Sequence, residues 1–356
     1  MKPFIYTALP ARIVFDAPVV TALRQEIEGL GCRRALLLST PWQARAISGL
    51  ADDIGNLAAG VFDQAEMHTP VAVTEAAIRV ANEVRADCLV AVGGGSTIGL
   101  GKAMALRTDL PQIAVPTTYA GSEVTPIIGQ TEAGRKTTQR TLKVLPEVVI
   151  YDVDLTLTLP VQLSVTSGMN AVAHAVEALY AQEANPVVTL LAERGITALI
   201  RALPLLVQAP SDRNARAEAL FGAWACGTCL GAVGMSLHHK LCHVLGGSFA
   251  LPHSETHTII LPHAAAALLP GVPGAAAILA RAMGSDDPAG TLYDIPARLG
   301  AAMALREIGM PHDGLRQAAQ EVTQSAYWLP VEMPQARVLS LLEEAWHGRR
   351  PQAVCV

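Results

Sequence analysis

Along the first 160 residues, short β-branched or aliphatic runs alternate with amphipathic stretches. Arg34-Ala-Leu-Leu-Leu-Ser39 reads as a strand and Val71 to Arg85 as a helix. Cys88-Leu-Val-Ala-Val92 reads as a buried strand running into glycine, and Gln112-Ile-Ala-Val-Pro116 as another strand. Such alternation predicts a parallel sheet with helices on its faces. From Leu163 onward the pattern changes: Ala-rich and Leu-rich segments at helical period dominate, with breaks near Pro204, Pro210, Pro252, Pro262 and Pro270-Gly-Val-Pro-Gly274. The chain therefore reads as an α/β domain over residues 1–160 followed by an all-helical domain over 161–356, and a length of 356 residues suits two domains.

Composition narrows the class of protein. Apolar residues make up 51% of the chain against 16% charged, yet no apolar run reaches roughly 18 residues, so no membrane span is expected. The start, MKPFIYTALPARIVFD, lacks the apolar core of a secretory signal, and a cytoplasmic protein is expected. A net charge of −5 argues against a general nucleic-acid binder, which needs a basic face, and leaves room for a local anion pocket. The cysteines Cys32, Cys88, Cys226, Cys229, Cys242 and Cys355 are dispersed. Their one close pair, Cys226-Gly-Thr-Cys229, lies in an Ala/Gly/Leu-rich stretch that reads as a tightly packed helix rather than a zinc site.

Two loops carry candidate cofactor chemistry. Strand 88–92 runs into Gly93-Gly-Gly-Ser96 and then a helix beginning near Thr97. Glycines there let the backbone approach a diphosphate, and the helix start favours an anion. By itself a triple glycine also fits a tight turn with no ligand. Pro116-Thr-Thr-Tyr-Ala-Gly-Ser-Glu-Val-Thr125 follows the next strand, and ligands of open α/β sheets bind outside strand carboxyl ends. The second half of the chain carries a different chemistry: six of the ten histidines fall between Ser236 and His263. Imidazole binds first-row metals and titrates near neutrality, so such density points to metal ligation or proton chemistry.

The segments GGGS at 93–96, PTTYAGSEVT at 116–125, Ser167-Gly-Met-Asn-Ala-Val-Ala-His174, His239-Lys-Leu-Cys-His-Val-Leu-Gly246, Leu251-Pro-His253 and Leu261-Pro-His263 resemble the signatures of the iron-containing alcohol dehydrogenase superfamily. Order, spacing and length fit over nearly the whole chain. The resemblance implies a Rossmann-like dinucleotide-binding domain plus an all-α catalytic domain, the dehydroquinate synthase-like arrangement. It also implies NADH or NADPH as cofactor and a homodimer. Gly94, Gly95, Ser96, Thr117, Thr118 and Ser122 are then the cofactor-binding candidates, with Lys136 matching a lysine near the cofactor ribose. Arg135-Lys136 as a solvated turn is the competing reading. Thr40 stands where an acidic residue often reads the adenosine ribose, so a 2′-phosphate is not repelled.

In metal-dependent members one Asp and three His hold the ion, and those positions map to Asn170, His174, His239 and His253. Asn170 offers a neutral amide where a hard divalent cation wants a carboxylate. Gly99 replaces a usual Asp, the PTT loop is one residue shorter, and Lys240 replaces a usual Gly. With these departures, SGMNAVAHAVEALY and LHHKLCHVLGGSFALPHSETHTIILPH resemble a branch that reduces the carbon–carbon double bond of maleylacetate to 3-oxoadipate in bacterial aromatic-ring degradation. The implied site is metal-free: His243 as proton donor or oxyanion partner, His239 and His253 as anion-binding or orienting groups, and His174 with the Asn170 amide completing a partly cationic pocket. Lys240 and Tyr119 are substrate candidates for a small dicarboxylate, although helical geometry turns Lys240 about 100° from His239, and a solvated or dimer-facing lysine reads equally well. A satisfied core histidine is the alternative for each ring, and the preferred reading for His238, His257 and His263. Two other readings stay open: a metal-dependent alcohol or lactaldehyde-type dehydrogenase, and a non-catalytic nucleotide-binding protein.

Overall fold

The computed structural model describes residues 3–132, 135–324 and 326–352, without the side chains of 131–137. Cys355 lies outside the described residues, and so does the side chain of Lys136, whose backbone belongs to a strand. The chain divides into two compact units, Leu9–Leu159 and Pro160–Val356, the second joined by Met1–Ala8. The chain start thus groups with the helical unit, whereas the sequence reading places it with the sheet. Regular pairing begins only at Arg12, so nothing in the ladder holds the preceding segment.

The first unit runs β1 (Arg12–Phe15), α1 (Val19–Gly29), β2 (Ala35–Leu38), α2 (Ala44–Ile54), β3 (Ala58–Phe62), α3 (Val71–Glu83), β4 (Cys88–Gly93), α4 (Gly95–Thr108), β5 (Gln112–Pro116), β6 (Ile127–Glu132), β7 (Arg135–Arg140) and β8 (Val148–Tyr151). Six strands form one parallel sheet in the order β1-β8-β5-β4-β2-β3. Strands β2, β4, β5 and β8 are buried at every position, which is why they read as unbroken apolar runs. On one face Leu23, Ile27, Ile47 and Ile54 of α1 and α2 cover Leu37, Val90, Val115 and Ile150. On the other, Gly101 of α4 lies so close that an added Cβ would stand 3.2 Å from the Ala91 methyl. From β2 the chain proceeds outward to β3, and from β4 it proceeds the other way to β5. The order therefore reverses between β2 and β4, and their carboxyl ends flank the crevice of an open α/β sheet.

Strand and helix positions follow the expected pattern with small shifts: β2 is shorter than 34–39, and α4 begins at Gly95 rather than near Thr97. The antiparallel hairpin of β6 and β7 carries polar residues on most positions and has no apolar signature to announce it.

The second unit contains α5 (Val161–Ala178), α6 (Pro186–Gln208), α7 (Arg213–Ala232), α8 (Leu237–Phe249), α9 (His253–Leu268) and, among the described residues, four further helices after them. Pro210, Pro252 and Pro270 fall between helices as expected, but Pro204 lies inside α6 and Pro262 inside α9. A proline removes one helical hydrogen bond, at roughly 3 kcal/mol. Continuous burial of α9 from Thr256 through Ala265 outweighs that loss. Cys226 and Cys229 are buried on α7. Cys226 Sγ packs against Gly195 of α6, where a Cβ would approach to 2.8 Å, and burial pushes its thiol well above the usual range. The pair is packing, as expected. No single helix among the described residues is long and apolar enough to cross a membrane.

Candidate active site

Three helices of the second unit each contribute an i, i+4 pair: Asn170 and His174 on α5, His239 and His243 on α8, His253 and His257 on α9. That spacing sets both members of a pair on one helical face. Contacts of α5 with α9 and of α8 with α9 bring the three faces together. The ring centroids of His174 and His239 lie 5.1 Å apart, His239 and His257 5.0 Å, His253 and His257 4.3 Å, and His239 and His243 6.2 Å. Asn170, His174, His239 and His257 are 5% exposed or less, whereas His243 and His253 are exposed. The cluster thus has a buried floor and a two-histidine rim.

Sequence reading missed the residue that organises the floor. Glu177, fully buried on α5, accepts hydrogen bonds from the backbone N–H of Ser236 (3.0 Å, Oε2) and of His238 (2.7 Å, Oε1). It accepts a third from Nδ1 of His239 at 2.7 Å. The carboxylate therefore ties the start of α8 to α5 and fixes the His239 tautomer, with the Nε2 lone pair pointing elsewhere. Its signal was available in the seven-residue interval from Asn170, which extends the Asn170/His174 stripe by three residues. His257 and His238, expected as core packing, belong to the same cluster: His238 Nε2 and His257 Nδ1 share a hydrogen bond of 2.9 Å. Burial, with repulsion from neighbouring rings, pushes His174, His238 and His257 well below the usual imidazole range, so these three are neutral. The expected cationic character is thereby kept off these three floor rings. His263 makes no ring contact with the cluster, in keeping with its reading as a core residue, and burial pushes it down to about 4. Lys240 is half-buried, and its backbone N–H donates to Ser236.

Whether a metal suits this donor set depends on its charge. Asn170 Oδ1, His174 Nδ1 and His239 Nε2 are buried with no hydrogen-bond partner among the described residues. Three imidazoles suit a first-row ion such as iron(II) or zinc, but together with an amide they supply no carboxylate to balance its charge.

In the α/β unit the two candidate loops meet. A Cβ on Gly94 would lie 2.9 Å from Thr118 Cγ2, and Thr117 N donates to Gly93 O at 3.0 Å. Gly93 has φ +156°, and a side chain there would collide with Thr97, so only glycine fits this turn. Gly94, Ser96, Thr118, Ser122 and Thr40 are half-buried and Gly95 is exposed, so backbone N–H groups at the start of α4 are open to an anion. Thr117 is 9% exposed, and Tyr119 is wholly buried. Gln43 joins the two sides of the crevice: its carboxamide donates to Thr117 Oγ1 at 3.4 Å and accepts from Thr40 Oγ1 at 3.4 Å. Lys102 of α4, 2% exposed, donates to the carbonyls of Ser122 (2.5 Å), Thr125 (2.8 Å) and Ile127 (2.9 Å), pinning the second loop to the helix that follows the first. Neither residue was among the sequence candidates.

Two family profiles match the chain: iron-containing alcohol dehydrogenase over residues 10–153, and the C-terminal part of the Fe-containing alcohol dehydrogenase family over residues 164–346. The chain belongs to the iron-containing alcohol dehydrogenase family. Within it, the maleylacetate reductase of Rhizobium sp. (strain MTP-10005) is 54% identical over 352 residues, covering 99% of this chain and 100% of its own. That of Sphingobium indicum is 51% identical over 348 residues, covering 98% and 99%. The crystal structure of maleylacetate reductase from Agrobacterium tumefaciens matches with a TM-score of 0.95 at 54% identity, over 99% of this chain and 100% of that one.

Proposed function

We propose that this chain reduces the carbon–carbon double bond of maleylacetate to 3-oxoadipate with NADH or NADPH, in the cytoplasm and without a bound metal. The observation that carries the metal-free reading is the buried amide of Asn170, one turn before His174 on α5, at the position where the resemblance to metal-dependent members implies a carboxylate.

The chemistry asks for less than carbonyl reduction does. Hydride adds to the carbon β to the ketone, and the electron pair of the double bond moves to give an enolate. A proton delivered to the α carbon then completes the product. Charge on the ketone oxygen is delocalised from the start, and fixed hydrogen-bond donors suffice to lower the barrier. The glycine turn and PTT loop hold the dinucleotide. On the helical unit His243 and His253, at the exposed rim, meet the dianionic substrate, and His243 supplies the proton. The Asn170 amide orients the oxygen that carries the charge, and His239, held by Glu177, fixes the floor beneath it. Loss of absorbance from NADH and NADPH on adding maleylacetate, with and without chelator, tests the reading. Full activity in a sample free of metal supports it, and loss of activity on chelation, restored by an added ion, refutes the metal-free part.

One observation favours a second reading, a metal-dependent dehydrogenase. A histidine that donates one ring N–H to a carboxylate and keeps its other nitrogen unpartnered, as His239 does with Glu177, is arranged as metal-bound histidines are. Zinc, which accepts an all-imidazole set, is the ion that reading names.

A further inference from the structure

Trp42 is 97% exposed, more than any other large apolar side chain among the described residues. An indole left in water forgoes most of the burial an aromatic gains; single exposed apolar residues are common, so its position tells more than its exposure. Trp42 sits in the 3-10 turn Pro41–Gln43, immediately beyond the carboxyl end of β2 and therefore on one wall of the crevice where strand order reverses. The turn is held in place from behind. Gln43, the next residue, reaches inward to Thr40 and Thr117, and its Oε1 lies 3.0 Å from where a Gly93 Cβ would stand. Pro41 at the first position restricts the backbone further. Side chain and backbone thus divide the work: Gln43 clamps the turn to the glycine loop, and Trp42 projects away from the protein.

A dinucleotide whose diphosphate lies at Gly94–Ser96, beyond β4, carries its adenosine ribose toward the end of β2, at Thr40. The base beyond that ribose then lies over the turn that bears Trp42. We propose that Trp42 is the platform on which the adenine ring of NADH or NADPH stacks. Stacking reads the π-face of the base and leaves the 2′-position unread, which suits a site with Thr40 where a repelling carboxylate often stands.

The inference rests on the cofactor reading above, and the test separates the two. The measurement is kcat/KM for NADH and for reduced nicotinamide mononucleotide, which lacks adenosine, in wild type, Trp42→Ala and Trp42→Phe, with maleylacetate as acceptor. Base–aromatic stacking strengths imply that Trp42→Ala lowers the preference for NADH over the mononucleotide roughly 5- to 100-fold, and that Trp42→Phe recovers most of it. An unchanged preference in Trp42→Ala overturns the proposal, including the case in which light scattering shows that the variant has lost a contact with a second copy. Equal losses with both reductants also overturn it, because they report a displaced turn rather than a lost stack. If wild-type protein binds neither NADH nor NADPH in a calorimeter, the cofactor reading itself falls and the stack falls with it.

Discussion

Replacing Glu177 by Gln tests the organisation of the site with a change of one atom. The carboxylate accepts from three buried donors: Ser236 N and His239 Nδ1 at Oε2, and His238 N at Oε1. A carboxamide has one oxygen and one NH2, so it can be seated in two ways. With NH2 toward His239, the imidazole can change tautomer and accept, but the N–H of Ser236 then faces a donor. With NH2 toward the start of α8, His239 keeps its tautomer and the N–H of His238 is left unpaired. Either seating orphans one buried backbone donor, which costs roughly 1–3 kcal/mol. For a unit of this size that lowers the melting temperature by roughly 2–10 °C in calorimetry. The first seating also places a hydrogen on His239 Nε2, and the second leaves His239 Nδ1 against a neutral carboxamide oxygen in place of a carboxylate. Turnover at saturating NADH and maleylacetate should therefore fall by roughly tenfold or more, the scale found when a histidine loses its orienting carboxylate. A variant that melts within about 1 °C of wild type and turns over at the same rate would show that Glu177 neither holds α8 nor tunes His239.

Three further substitutions probe separate parts of the protein. His243→Ala removes the rim histidine assigned to proton delivery and should lower the single-turnover rate roughly 100-fold or more while leaving NADH affinity in titration calorimetry near normal; near-normal turnover would remove it from the site. Asn170→Asp restores a carboxylate among the three imidazoles and should raise the zinc or iron content of the purified protein as read by elemental analysis, whereas unchanged metal content would show that residue 170 is not at a ligand position. His263→Phe should blunt the loss of stability in acid: burial holds this ring to about 4, below its unfolded value, so the unfolded chain takes up the extra proton and stability falls with pH from about 6.5 toward 4. At pH 5 that difference is worth roughly 2 kcal/mol, and calorimetry at pH 7 and pH 5 should show the variant losing correspondingly less than wild type; parallel losses would contradict it.

Most of the sheet was readable because a strand buried on both faces leaves an unmistakable run, as in Leu89-Val-Ala-Val92. The hairpin β6–β7 was not, because Gln130, Thr137, Thr138 and Gln139 offer neither an apolar run nor an alternating face. Pro204 and Pro262 misled for a related reason: local propensity marks them as breaks, and only tertiary burial outweighs a missing hydrogen bond. In the site, signature residues declared themselves one at a time, but the partners that set their chemistry did not. Glu177 and Lys102 act across 62 and 23 residues respectively, on His239 Nδ1 and on the Thr125 carbonyl, and no local pattern reports such reach.

The same distinction bears on whether the histidine cluster suits an anion or a metal. A count of imidazoles cannot separate the two. What separates them is where negative charge sits: the one buried carboxylate of the cluster, Glu177, is committed to two backbone N–H groups and His239. One turn before His174 on α5, the chain presents the neutral Asn170, buried and with Oδ1 unpartnered among the described residues. A cation brought to that point finds dipoles and no charge, whereas a dianionic enone finds exposed imidazoles at the rim and an amide below. Placing a single negative charge at residue 170 would invert that preference. Asn170→Asp should therefore combine the highest metal content with the weakest reduction of maleylacetate, adding Glu177→Gln should lower that metal content again by removing the carboxylate that orients His239, and an Asn170→Asp variant that stayed metal-poor and active would show that charge placement does not decide what the cluster binds.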